Sequence, residues 1–324
     1  MIHEGTRRGA KNTKGAKNTE GVAGFLCATA RAWADQSHFA PANHFSDKRQ
    51  RALVTTAQYA LLALVLVLLI FPVYWMGITS FKTQDEVYML PQSYWPQHFT
   101  LEGYPHLFRQ LKFGLTLMNS VIVAGCAALG STIMGGLAAY GLNRFELPGR
   151  GLLFAVLVVS IALPGMTTVG PIFLAYQGLG LYDTKIGLIL VNLSFGLSFA
   201  IYFLFAYFQT IPRELDDAAH IDGCTWLGIF WYVILPIARP AVVTTFLIGY
   251  IGVWNEYLLA NILTASENAK TLTVRILEIA PAARIEPYQL YAVGGIMSLI
   301  PVILIVMLGQ RHIVGGIVRG AVKG

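Results

Sequence analysis

The sequence predicts an all-α fold, a polytopic membrane helical bundle of six transmembrane helices, and three observations support this. Hydrophobic residues make up 55% of the chain against 12% charged, and the mean hydropathy is +0.58, which leaves too little polar surface for an ordinary soluble domain. Six runs, residues 53–78, 117–142, 152–174, 186–208, 240–263 and 290–308, approach or exceed the about 20 mostly apolar residues that a spanning helix needs, and none has a Lys or Arg in its interior. Barrel strands would instead show short alternating segments.

A segment of another kind precedes the runs. Residues 1–47 carry the near-repeat Gly9-Ala10-Lys11-Asn12-Thr13 and Gly15-Ala16-Lys17-Asn18-Thr19 without apolar periodicity, and are expected to form a disordered extension. Residues 22–30 are too short and too broken by Gly and Thr for a secretory signal. The membrane domain is therefore placed at residues 48–324.

In the first run Pro72 is expected to interrupt the helix and free a carbonyl for a neighbour or water. The second carries Ala127, Ser131, Gly135 and Ala139 at intervals of four, with Ala124, Ala128, Thr132 and Gly136 beside them. Small residues at that spacing let helix backbones approach closely where lipid supplies no hydrophobic drive, and packing within the chain is expected ahead of a subunit interface. Pro164-Gly165 and Pro171 interrupt the third run, and Asn192, Ser194 and Ser198 lie in the fourth. Trp254-Asn255-Glu256-Tyr257 lies well inside the fifth, where Glu256 is the only carboxylate in any of the runs. A charge at the centre of a spanning helix costs about 3 kcal/mol, and a proton-coupling role usually comes with a second buried ionisable group. Glu256 is read instead as a structural hydrogen-bonding group or part of a pore wall.

Loop charges orient the bundle, because Lys and Arg are retained on the cytoplasmic side. Arg51, Arg144, Arg150, Arg213, Arg239 and Arg311 fall on one side, while Lys82, Arg109, Lys185, Lys270 and Arg275 fall on the other, mostly in longer loops where the rule is weaker. Both termini are assigned to the cytoplasm. The net charge of +6 follows from this bias, so membrane lipid, and no nucleic acid, is the expected partner.

The loop at residues 209–239 is the most informative polar segment. Pro212 suits a first helical turn, and Glu214, Asp216 and Asp217 complement a helix N-terminus, so a short helix is expected there. Asp222-Gly223 signals a turn, after which Thr225 caps a second helix bearing Trp226, Ile229, Phe230 and Val233. Leu235-Pro236 and Pro240 mark a bend into the fifth run. The hairpin presents an acidic face with Ala218 and Ala219, and an aromatic face. A hairpin resting on anionic headgroups would be basic, and a DNA reader would need a basic recognition helix. Docking to another protein fits best.

Several chemistries are excluded or disfavoured. Cys27, Cys126 and Cys224 are scattered and odd in number, and no Cys or His pair has zinc spacing, so neither a disulfide framework nor a metal site is expected. No Gly-rich loop with Lys and Ser or Thr at phosphate-binding spacing occurs. The chain is not expected to hydrolyse ATP or to be an enzyme.

Arg213-Glu214-Leu215-Asp216-Asp217-Ala218-Ala219-His220-Ile221-Asp222-Gly223, continuing to Leu235-Pro236, resembles the EAA loop of permease subunits of binding-protein-dependent ABC importers. Phe71-Pro72-Val73-Tyr74-Trp75, Ala138-Ala139-Tyr140 with Arg144-Phe145, Trp254-Asn255-Glu256-Tyr257 and the terminal Gly320-Ala321-Val322-Lys323-Gly324 are similar to the carbohydrate-uptake branch, of the maltose-permease second-subunit type. Asp217 stands where the family usually has Glu, and Cys224 where it has Ala.

The resemblance implies that the loop is a coupling helix seated in a cleft of an ATPase subunit, with Glu214, Asp217, Ala218, Ala219, Asp222, Gly223, Leu235 and Pro236 forming the contact. It further implies a second permease subunit as heterodimer partner, two ABC ATPase subunits, an extracytoplasmic solute-binding protein and a place in the bacterial inner membrane. ATP and Mg are bound by the ATPase, and this chain binds no cofactor. Asn119, Asn192, Trp254, Asn255, Glu256 and Tyr257 are the expected wall of the path, for a sugar or oligosaccharide. ABC import of a sugar phosphate or polyol such as glycerol phosphate is the alternative cargo. The expected stroke passes from the hairpin to the fourth and fifth runs and switches access in a two-state rocking motion. An ion-coupled secondary transporter is the competing class, disfavoured by the single buried acid.

Overall fold

The computed structural model describes residues 48–110, 112–162, 165–279 and 287–321. The disorder expected for residues 1–47 and the break expected at Pro164 lie outside the described residues. Packing divides the chain into two units, Met1–Leu69 and Ile70–Gly324. Every regular element among the described residues is helical.

Helix α1 is Lys48–Ser80, and two short helices follow, α2 at Gln84–Tyr88 and α3 at Gly103–Gln110. Next come α4, Phe113–Arg144, and α5, Arg150–Ala162. A 3-10 turn, Gly165–Thr168, leads into α6, Val169–Gly178, and α7 spans Lys185–Phe208. The hairpin is α8, Glu214–Ile221, and α9, Trp226–Ile237, whose middle turn Phe230–Ile234 is π-helical. It is followed by α10, Arg239–Trp254, α11, Leu258–Leu263, and α12, Leu272–Leu277. The last helix, α13, is Tyr288–Ala321.

Among the described residues, four helices are long and apolar enough to cross a membrane unaided, Ala52–Ser80, Phe113–Arg144, Lys185–Phe208 and Tyr288–Gly309, and two bent pairs raise the number to as many as 6. The polytopic all-α bundle read from the sequence is thus the observed class. Two runs differ in detail. Pro72 lies inside a helix that continues to Ser80, since a long span tolerates one missing backbone bond when local adjustments satisfy the freed group. The fifth run is two helices, because α10 stops at Trp254 and α11 begins at Leu258.

The small-residue stripe on α4 is buried against α7. A Cβ at Gly135 would lie 2.6 Å from the Ala200 Cβ and 3.2 Å from its carbonyl carbon, so the two backbones meet where only hydrogen fits. In a bilayer such contact stabilises through dispersion rather than water exclusion. Around this pair, Tyr140, Leu204, Phe208, Ile229, Phe230 and Ile234 form a core beside the hairpin. A second core, with Leu107, Phe113, Tyr250, Trp254 and Leu272, lies toward the opposite end.

Candidate functional site

The hairpin begins where α7 ends. Glu214, Asp216 and Asp217 occupy the first turn of α8, where acidic groups meet the positive end of the helix dipole. Gly223 has φ of +86°, a left-handed conformation that a residue with a Cβ adopts only under strain. The Thr225 hydroxyl then accepts from the Gly228 N–H at 3.2 Å and starts α9 as the cap expected there. Trp226 stacks on His220 at 4.9 Å and meets Phe145 edge-on at 5.1 Å, which joins the two arms to the end of α4. The second arm and α10 are bent by 83° relative to each other, in the region marked by Pro236 and Pro240.

The hairpin's inner face is anchored by a carboxylate that sequence reasoning placed only on the helix dipole. Asp216 Oδ1 accepts from the Tyr140 hydroxyl at 2.9 Å, and Oδ2 meets Arg144 Nη2 at 2.8 Å, with both side chains 4% exposed. The ion pair is close but lies outside hydrogen-bond geometry, and Arg144 Nε is buried without a hydrogen-bond partner among the described residues. Two further bonds fasten the approach to the hairpin: Arg144 Nη2 donates to the Ile211 carbonyl at 3.2 Å, and Arg213 Nη2 donates to the Asn143 carbonyl at 3.0 Å. Tyr140 and Arg144 stand four apart, on one helix face. That spacing puts both side chains where they can meet Asp216, but no local signal ties that face to a helix 76 positions away.

Of the expected contact residues, Glu214, Asp217, Ala218, Asp222, Gly223 and Pro236 are exposed and Leu235 is half-buried. Ala219 is turned inward and packs in the core beneath the hairpin. Exposed apolar side chains complete the outer face, with Ile221 87% and Leu227 60% exposed.

The residues expected along a path are divided by the structure. Asn192 and Glu256 line one cavity of about 480 Å³, with Phe195, Phe199, Gly249 and Gly252. Both Glu256 oxygens face α11, Oε1 accepting from the Leu259 N–H at 2.7 Å and Oε2 from the Ala260 N–H at 3.0 Å. This bonding accounts for the interruption of the fifth run, since the carboxylate replaces the carbonyls that a continuous helix would supply. Trp254 is not on that wall; it is buried and stacked on Tyr250. Asn255 and Tyr257 are exposed beside the break. Asn119 is fully buried, donating to the Glu267 and Lys270 carbonyls at 3.3 and 3.0 Å and accepting from Lys185 Nζ at 3.3 Å.

Asn119 belongs to a bonded cap at the end of the bundle opposite the hairpin. There Asp183 Oδ1 accepts from the Ala265 and Ser266 N–H groups, each at 2.8 Å. Lys270 pairs with Glu278 at 2.7 Å, and Arg275 pairs with Glu267 at 3.1 Å. Nearer α1, buried Glu86 accepts from the Ser93 hydroxyl and the Gln97 N–H, each at 2.8 Å, and from the His98 N–H at 3.3 Å. Burial pushes both the Glu86 and Asp183 carboxyls up, but the combined N–H and hydroxyl donors outweigh it, helped by Lys82 and Lys270 respectively, and hold both below the ordinary range.

Comparison with known proteins identifies the family and the fold. Residues 131–319 match the family described as binding-protein-dependent transport system inner membrane component. The diacetylchitobiose uptake system permease protein of Streptomyces coelicolor is 32% identical over 279 residues, covering 86% of this chain and 91% of that protein. The trehalose transport system permease protein of Mycobacterium tuberculosis is 36% identical over 256 residues, covering 79% and 93%. A chain in the crystal structure of a bacterial ABC transporter involved in the import of the acidic polysaccharide alginate shares the fold, with a TM-score of 0.73 at 22% identity over 83% of this chain and 99% of that one. The chain thus belongs to the family of binding-protein-dependent transport system inner membrane components, as a multi-pass, non-catalytic permease subunit of an ABC importer.

Proposed function

We propose that this permease forms half of the translocation path for an uncharged sugar or oligosaccharide, and that the α8–α9 hairpin is the segment an ATPase subunit grips. The observation that carries the reading is the outer face of the hairpin. Ile221 and Leu227 stand 87% and 60% exposed beside exposed Glu214 and Asp217, on a hairpin whose inner face is packed. Apolar side chains rimmed by acids suit a protein partner better than anionic headgroups.

The assembly that goes with this reading has a second permease subunit, in the manner of a maltose-type second subunit with its partner, two ATPase subunits that bind Mg and ATP, and a solute-binding protein at the end opposite the hairpin. The loop charges support assigning both termini to the cytoplasm, and in this reading residues 48–324 form the permease domain with residues 209–239 as its coupling loop. Relatives named for diacetylchitobiose and trehalose uptake support a saccharide cargo. Among the described residues, Glu256 is the only charged side chain on the wall of the Asn192 cavity, which favours a neutral sugar over a sugar phosphate, because an anion would meet an acid and no cation.

Cysteine introduced as Ala218→Cys or Ile221→Cys tests the reading in inner-membrane vesicles holding the whole importer. Both positions are exposed, and a short thiol-reactive crosslinker is expected to join each to the ATPase subunit. Failure of both to capture it, with the importer intact and active, overturns the coupling assignment.

A further inference from the structure

Asp216 differs from its neighbours: Glu214, Asp217 and Asp222 face outward, and Asp216 alone among the hairpin's acids is buried. Its two side-chain partners, Tyr140 and Arg144, both belong to α4. Arg213 and Ile211, in the approach to the hairpin, are bonded to Asn143 and Arg144 at the same helix end. A buried ion pair commonly adds little net stability over apolar side chains of equal volume, although loss of one partner is costly. Its effect here is geometric, since three hydrogen bonds and one ion pair tie the hairpin and its approach to one end of one helix.

The rigid connection continues through the membrane. On α4, Gly135 meets Ala200 of α7 at a distance that leaves no room for a Cβ, and a Cβ at Gly196 of α7 would lie 3.3 Å from the Ser131 Cβ. Two helices interlocked at backbone distance cannot slide past one another without losing that contact. The link to α10 is of another kind. Across the bundle α10 packs on α4 at ordinary van der Waals distance, with a Cβ at Gly249 lying 3.6 Å from the Ala128 Cβ, without the interlock seen at Gly135. Along the chain the link passes through the π-helical turn Phe230–Ile234 and an 83° bend, and π-turns in otherwise α-helical segments are local distortions often found at functional sites.

We propose that Tyr140, Arg144 and Asp216 weld the hairpin to α4, that α4 and α7 move with it as one rigid body, and that the π-turn is the joint through which α10 follows. The proposal rests on the coupling reading and changes its mechanics. The stroke enters the second and fourth spans directly, and reaches the fifth by way of a joint. Asp216, Tyr140 and Arg144 are positioning residues, acting through the spans rather than on the cargo.

Two measurements on the reconstituted importer test it. The apolar pair Asp216→Leu with Arg144→Met removes the weld without leaving a lone buried charge. It is expected to retain the ATPase subunits and the Ala218→Cys crosslink, while sugar moved per ATP hydrolysed falls by about tenfold. Tyr140→Phe, which deletes one bond, is expected to lower the same ratio by about threefold. An unchanged ratio in both, with the crosslink still formed, overturns the weld and leaves the coupling reading standing; loss of the crosslink from the parent complex overturns the coupling reading itself. The second measurement locks α4 to α7 by Ser131→Cys with Gly196→Cys, in a chain lacking Cys27, Cys126 and Cys224. The Cβ distance of 3.3 Å is close to the about 3.5–4.5 Å that a disulfide spans. Oxidation is expected to leave transport within about twofold of the reduced form, and oxidation that abolishes transport overturns the single rigid body.

Discussion

Asp216 at the hairpin end and Asp183 and Glu86 at the opposite end are held in different ways. Asp216 is held by side chains, the Tyr140 hydroxyl and the Arg144 guanidinium. Asp183 is held by the Ala265 and Ser266 N–H groups, and Glu86 by those of Gln97 and His98 together with the Ser93 hydroxyl, while Glu267 and Glu278 keep side-chain ion pairs with Arg275 and Lys270. Main-chain donors cannot be released without reshaping the loop that carries them, so Asp183 and Glu86 hold those loops in a fixed form. Side-chain partners on a separate helix instead fasten one element to another, so Asp216 ties the hairpin to α4 beneath an outer face that is itself left uncovered, with Ile221 87% exposed.

The steepest loss is expected when one side of the ion pair is removed. Arg144→Ala strands the Asp216 charge at 4% exposure, and the expected loss is about 3–5 kcal/mol. Thermal unfolding in detergent should show it as a large drop in Tm, and an unchanged Tm would show that Asp216 is hydrated. Next in size is Gly223→Val, which places a β-branched residue at φ of +86°. It should cost about 1–3 kcal/mol, confined to the turn, with transport reduced while insertion persists; wild-type transport would remove the turn from the coupling path. Glu256→Ala should cost about 0.5–2 kcal/mol, by analogy with loss of a helix cap. Hydrogen exchange would read this at the Leu259 and Ala260 amides, which its oxygens now hold.

The smallest effect concerns pH at the cap. The carboxyls of Glu86 and Asp183 sit below their ordinary 4.5 and 3.8. A depressed folded value means that each group stabilises the fold fully above its unfolded value and loses that contribution as pH falls through the folded one. Amide exchange at Gln97, His98, Ala265 and Ser266 should therefore rise, beyond the intrinsic pH dependence of exchange, only in acid below those ordinary values. Glu86→Gln should abolish the acid-dependent step at Gln97 and His98 and leave that at Ala265 and Ser266 in place. A step beginning near neutrality would contradict the main-chain cap.

Composition and run length made the helical class legible, because a bilayer leaves few ways to satisfy a backbone. The hairpin was legible as well: the acidic turn at Glu214 to Asp217, the Asp222-Gly223 turn and the Thr225 cap are local signals, and each produced the local structure expected. Pairings between distant segments were not legible. Nothing near Asp216 indicates that Tyr140 will approach from 76 positions away, and a polar residue in an apolar run, such as Asn119, can face a loop as readily as a cavity. The break after Trp254 was hidden for a related reason. Asn255, Glu256 and Tyr257 are compatible with a helix, and only the turn of the Glu256 side chain onto its own downstream amides ends it.

A helix that stops at Trp254 and restarts at Leu258 leaves first-turn amides that need acceptors, and at membrane depth an unsatisfied amide is costly. Glu256 supplies two of those acceptors from within the chain, since Leu259 and Ala260 donate to its oxygens. The interruption is therefore self-contained, asking no neighbouring helix to satisfy those two amides.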